Sequence, residues 1–130
     1  MKEKIHTDNA PKAVGPYSQA IKHGNYVFCS GQIPLDPTTQ KLVEGDVSVQ
    51  CLQVLKNLHE VLKVSGSEWK NIIKTTIFLS DMSLFKEVNT VYEGFFNEFA
   101  PGEPAPARAT VAVKTLPLNV DVEIDCIAFC

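Results

Sequence analysis

Residues 120–129 alternate strictly in character, and no other stretch limits the folds open to this chain as tightly. Successive side chains of a β-strand point to opposite faces of its sheet. One face of such a strand would carry Val120, Val122, Ile124, Cys126 and Ala128, which are all apolar. The other would carry Asp121, Glu123, Asp125, Ile127 and Phe129. The first face calls for a covering layer. The second is expected either in water or against another copy of the chain, and its two large apolar residues favour the copy.

Two helices can supply the covering layer. Asp46 is placed to cap a helix that runs to about Val64 and stops at Gly66. Cys51, Leu55, Leu58 and Leu62 would form its apolar stripe. Asp81 is placed to cap a second helix, whose seam is Phe85, Val88, Tyr92, Phe95 and Phe99, ended by Ala100-Pro101-Gly102. Between the helices, residues 72–79 are β-branched and apolar and read as a strand. Near the N-terminus, residues 17–22 and 26–30 flank His23-Gly24-Asn25 and read as a hairpin. Residues 31–45, with Pro34 and Pro37, read as a loop. Pro104 and Pro106 keep the chain extended until a strand begins at about Arg108. The order is hairpin, helix, strand, helix, strand, strand. It predicts one α+β domain over residues 1–130, with two helices on one face of a single mixed sheet.

Several function classes are excluded or weakened. The net charge is −3 and the lysines are scattered, unlike the clustered basic face of a nucleic-acid binder. Cys29, Cys51, Cys126 and Cys130 form no CxxC pair and have no histidine at metal-ligand spacing. The first three lie in apolar stretches and read as small core residues in a reducing compartment. Asp121, Glu123 and Asp125 at period two are weak grounds for a metal. No phosphate-binding glycine loop and no nucleophile elbow is present, so neither a cofactor nor a serine hydrolase is expected. No apolar run approaches a membrane span, and the first residues lack the pattern of a leader. A cytoplasmic protein is expected, with mitochondrial residence left open should a presequence precede Met1.

Arg108 is the only arginine, against eleven lysines. Guanidinium offers a planar fork of donors that matches a carboxylate in two prongs, which lysine cannot do. Two readings compete: a socket for an anionic ligand, or a structural ion pair with Asp or Glu. Glu123 lies mid-strand between Val122 and Ile124, where burial would raise its pKa and suit it to act as a general base. The last two strands are natural neighbours in a sheet, so Glu123 is expected near Arg108. It would then either neutralise the arginine or address a water while the arginine holds a substrate. Asn89, beside the buried seam of the second helix, and Tyr17, after the turn-making Gly15-Pro16, are secondary candidates. Local hydrogen bonding and hairpin packing are their competing explanations.

Five stretches together resemble the Rid/YjgF family of reactive intermediate deaminases, most closely its RidA-type imine deaminases. They are residues 9–20 (NAPKAVGPYSQA), 30–34 (SGQIP), 88–92 (VNTVY), 106–108 (PAR) and 122–128 (VEIDCIA). The resemblance implies a chorismate-mutase-like fold and a homotrimer with ligand clefts between subunits. It implies hydrolysis of 2-imino or 2-enamino acids, such as 2-iminobutanoate and 2-iminopropanoate, to 2-keto acids and ammonia. Arg108 matches the family's carboxylate clamp, and Glu123 matches the acid that positions or activates water. Tyr17, Asn89, Ser30 and Gly31 match residues lining the cleft. Thr110 stands where the family often has cysteine, so a thiol is absent there while a backbone amide remains to meet a ligand. The rim loop, residues 100–106, also looks slightly long. No cofactor and no metal are implied. A non-catalytic sensor of small carboxylates and an endoribonuclease or translation inhibitor stand as alternatives, the latter opposed by the acidic charge balance.

Overall fold

A computed structural model describes all 130 residues. Six strands form one mixed sheet: β1 (Glu3–Ile5), β2 (Ala20–His23), β3 (Tyr26–Gln32), β4 (Ile72–Leu79), β5 (Ala107–Ala112) and β6 (Val122–Phe129). Their spatial order is β1-β2-β3-β6-β4-β5. All pairings are antiparallel except β4 with β5. The crossover that makes this pair parallel is α2 (Phe85–Phe99), while α1 (Val47–Val64) links β3 to β4. No helix is long and apolar enough to cross a membrane.

The alternation of the last strand does what the sequence pattern demanded. Val122, Ile124, Cys126 and Ala128 are buried beneath the helices. They join Leu55, Leu58 and Leu62 of α1, Val88, Tyr92 and Phe95 of α2, and Ile77 and Leu79 of β4 in one core of 24 buried residues. Asp46 caps α1 by accepting from the amide of Val49, and Gly66 turns the chain at its other end with φ +81°. The helices meet over an aromatic cluster in which Trp69 stacks edge-on to Phe95 at 4.7 Å and His59 lies 4.6 Å from Phe99.

The opposite face carries no helix. Tyr26, Phe28, Val111 and Phe129 each leave 43–49% of their surface exposed there. Cross-strand pairing sets Phe28 beside Ile127 and Tyr26 beside Phe129. The half-apolar face expected from residues 120–129 is therefore real, with one correction. Asp121 does not belong to it. Its carboxylate accepts from Ser80 Oγ at 2.8 Å and Gln50 Nε2 at 3.2 Å, which ties the start of β6 to α1.

Other differences are local. The short β1, pairing with β2, carries too few residues to show a period. The hairpin begins at Ala20, because Gly15 at φ +116° folds residues 15–17 into a tight turn and leaves Tyr17 outside the strand. Asp81 caps a short 3-10 turn, Met82–Leu84, which leads into α2. Leu58 is fully buried at the centre of the α1 stripe. Leu58→Ala should cost about 2–5 kcal/mol of stability, read by denaturant unfolding. A loss below about 1 kcal/mol would contradict its central place.

Candidate functional site

Arg108 lies on β5, the outermost strand, paired with Thr75 of β4, which in turn pairs with Cys126 of β6. Thr75 and Cys126 are buried under the helices, so Arg108 shares their side of the sheet and meets α2. Its guanidinium lies 5.1 Å from the centre of the Tyr92 ring and 5.5 Å from that of Phe85. Nη1 donates to Asn89 Oδ1 at 2.7 Å. Helical spacing puts Phe85, Asn89 and Tyr92 on one face of α2. Tyr92 is itself anchored by a buried 2.8 Å hydrogen bond between its hydroxyl and Thr75 Oγ1. No carboxylate pairs with Arg108. The three ion pairs of the chain are His6–Asp8, Lys63–Glu60 and Lys70–Glu68. The structural ion pair thus fails as an explanation of the lone arginine. Neutral and aromatic groups orient an exposed guanidinium whose charge is unmatched.

Glu123 belongs to a different place. It pairs with Phe78 of β4, on the side of the sheet away from the helices. The expected neighbourhood of Arg108 and Glu123 is wrong within one chain, because β4 lies between their strands. Two strand spacings and three residues of strand separate their backbones, about 10 Å in each direction, and their side chains leave opposite faces. Chain order suggested adjacency; the parallel crossover through α2 put β5 at the sheet edge instead.

Around Glu123 the structure does bring expected residues together. Tyr17, Ser30, Gly31 and Glu123 line one cavity of about 480 Å³ with Val14, Ile33 and Pro117. The register between β3 and β6 slips between Cys29 and Gln32, so that Ser30 and Gly31 together oppose Asp125. Such a bulge re-aims the strand locally. Ser30 is held by Ser18, whose carbonyl accepts from its hydroxyl at 2.6 Å, and its amide donates to the Gln19 carbonyl at 2.9 Å. A Cβ on residue 31 would lie 2.9 Å from Cδ of Glu123, so a larger residue here would push the carboxylate aside. Burial raises the Glu123 pKa above the ordinary glutamate value, and the Asp125 charge raises it further. No lysine or arginine offsets either effect.

Thr110 shares the sheet side of Arg108, two residues along β5, and its Oγ1 is buried without a hydrogen-bond partner. The site residues therefore form two half-sites in one chain: Arg108, Asn89 and Thr110 by α2, and Tyr17, Ser30, Gly31 and Glu123 on the open face. Val14, Ile33 and Pro117 were missed by the sequence reading. Each is apolar and sits in a loop or strand end, where pattern carries no sign of a cavity wall.

The family model described as endoribonuclease L-PSP matches residues 7–130. A RutC family protein of Pyrococcus horikoshii is 48% identical over 129 residues, covering 99% of this chain and 98% of its own. The chloroplastic Reactive Intermediate Deaminase A of Arabidopsis thaliana is 50% identical over 127 residues, covering 98% of this chain and 65% of its own. Among solved structures, E. coli TdcF with bound serine superposes with a TM-score of 0.93 at 38% identity, covering 98% of both chains.

The raised carboxyl fixes a sign for stability. When a folded-state pKa lies above the unfolded one, the folded state binds more protons and loses stability as pH rises between the two values. Below about pH 4.3, both states are protonated and the effect is absent. Glu123→Gln should therefore match the wild type at pH 3.5 and be the more stable of the two at pH 7.5, measured by denaturant unfolding. A variant less stable at pH 7.5 would show that the folded chain stabilises the charge.

Proposed function

The chain belongs to the Rid/YjgF family, and we propose that within it the protein is a deaminase of reactive 2-imino and 2-enamino acids, releasing 2-keto acids and ammonia. The observation that carries this reading is the arginine held ready by neutral groups, with no acid of its own chain to neutralise it. The half-buried, uncompensated carboxylate beside Gly31 supplies the second function. Because the two groups leave opposite faces of one sheet, a site that uses both takes Arg108 from one copy and Glu123 from a neighbour. The uncovered apolar face and the unpaired outer edge of β5 are the surfaces such an assembly would bury, and a homotrimer is proposed.

The chemistry follows from the groups. Arg108 grips the substrate carboxylate through two parallel charge-assisted hydrogen bonds, each worth about 1.5–3 kcal/mol. Phe85 and Tyr92 stack against the guanidinium and Asn89 fixes its rotation. Glu123 takes a proton from water as the water oxygen bonds to the imine carbon. The same proton is then delivered to nitrogen, which gives a carbinolamine. Glu123 next takes the proton of the new hydroxyl as the carbonyl forms and passes it to the nitrogen as the C–N bond breaks, so that ammonia leaves. A carboxylate of raised pKa suits this shuttle, since it must accept the proton and give it back. Backbone groups near Gly31 and Thr110 would steady the adduct. The substrates in view are 2-iminobutanoate and 2-iminopropanoate.

The family model's description as an endoribonuclease comes to this chain only as an alternative, which the net charge of −3 opposes. RNA cleavage lost on Glu123→Gln would revive it. The deaminase reading is tested by generating 2-iminobutanoate with threonine dehydratase and following keto-acid release in the presence of a scavenger. The wild type should accelerate release. Arg108→Lys should lose roughly 10–100-fold in kcat/KM, since a point charge cannot replace the fork. Glu123→Gln should lose on the order of 10²–10⁴-fold while still binding a 2-keto acid. Near-normal turnover by Arg108→Lys would remove the clamp, and unimpaired turnover by Glu123→Gln would remove the base.

A further inference from the structure

The Glu123 cavity does not end at its own wall. A second cavity of about 450 Å³ shares Val14, Tyr17, Gly31, Ile33 and Pro117 with it, and extends over Leu35, Gln40 and Leu118. The two lie side by side on either flank of the Tyr17 turn, where the Tyr17 hydroxyl accepts from the Val14 amide at 3.2 Å.

The wall of the second chamber is mostly apolar surface. Three glutamines line it; the amides of Gln19 and Gln40 are spent on backbone, and the buried Gln32 adds one polar side chain to the wall. Gln19 Nε2 donates to the Pro11 carbonyl at 2.8 Å and the Thr7 carbonyl at 3.0 Å, while its Oε1 accepts from the Thr7 amide. Gln40 Oε1 accepts from the Lys12 amide, and its Nε2 donates to the Pro37 carbonyl at 2.7 Å. Lys12 brings the one charge, on an exposed residue. Val14, Ile33, Leu35 and Leu118 are left as side-chain surface.

Backbone conformation singles out the same place. Only three non-glycine residues have positive φ: Gln40 (59°), Leu118 (56°) and Asn119 (57°). Two of the three line this chamber. Leu118 is the unexpected one, since leucine has no side-chain bond to offset the left-handed region and 66% of its surface is exposed. Residues held in such conformations concentrate where a site needs a side chain aimed.

We propose that this second chamber takes the side chain of the substrate and makes the protein selective for 2-imino acids with branched aliphatic side chains, with Leu118 as the specificity-determining wall. The proposal rests on the deaminase reading: the carboxylate goes to Arg108, the imine carbon to Glu123, and the side chain past Tyr17.

The test compares 4-methyl-2-iminopentanoate with 2-iminopropanoate, each generated in situ from leucine or alanine by an amino-acid oxidase. The two imines differ by three carbons, and the wild type should favour the larger in kcat/KM by at least about tenfold, the low end of what a single buried methylene discriminates. Leu118→Ala should erase most of that ratio. Leu118→Gly should erase it equally while raising the melting temperature above that of Leu118→Ala, since glycine accepts the left-handed backbone. A wild type that favours the smaller imine, or a ratio unmoved in both variants, overturns the proposal. If the wild type turns over neither imine, the deaminase reading fails, and binding decides the chamber separately. By calorimetry, 4-methyl-2-oxopentanoate should then bind more tightly than pyruvate, and Leu118→Ala should close the gap. Equal affinities would overturn the chamber as well.

Discussion

A cation stacked on two aromatic rings and steadied by an amide oxygen is oriented but not neutralised. That is the condition of Arg108, and the functional account depends on it. Had a carboxylate of the same chain closed on the guanidinium, the arginine would be a structural strut. Instead Phe85, Asn89 and Tyr92, one face of α2, hold its plane, and Thr75 holds Tyr92 in turn. The fold meets this demand by sending β5 to the edge of the sheet through a parallel crossover. The strand is paired on one side only, and its arginine is reachable from outside.

The second constraint is the empty face of the sheet. The two helices cover one side and leave the other with exposed aromatic residues and a carboxylate in a partly dry setting. Glu123 approaches β3 closely because residue 31 has no side chain, and a bulge at Ser30-Gly31 makes room for the approach. The half-sites are complementary in charge and lie on surfaces that a second copy could bring together. Incompleteness within one chain and the open face are thus two aspects of one arrangement.

The sequence made the layers legible because apolar period reports burial directly. The α1 stripe, the strand Ile72–Leu79 and the alternation of β6 all appear where pattern placed them. Arg108, Glu123, Tyr17, Ser30 and Gly31 could be singled out by residue type and family resemblance. What pattern could not supply was order in space. Strands consecutive in sequence are commonly neighbours in a sheet, but here β4 lies between β5 and β6. Asp121 had the right parity for the open face, yet Gln50 and Ser80 claimed it before the strand began. The left-handed Leu118 is equally silent in sequence, since leucine carries no mark of that conformation.

Mixed assemblies test the central claim most directly. Subunits carrying Arg108→Lys and subunits carrying Glu123→Gln are each purified, unfolded together in equal amounts and refolded. If every site joins Arg108 of one copy to Glu123 of the next around a threefold ring, random mixing restores on the order of a quarter of wild-type sites. Imine hydrolysis should return to about that level while each variant refolded alone stays near background. Mixed trimers that form, as shown by mass, yet remain as inactive as their parents would contradict a site shared between copies.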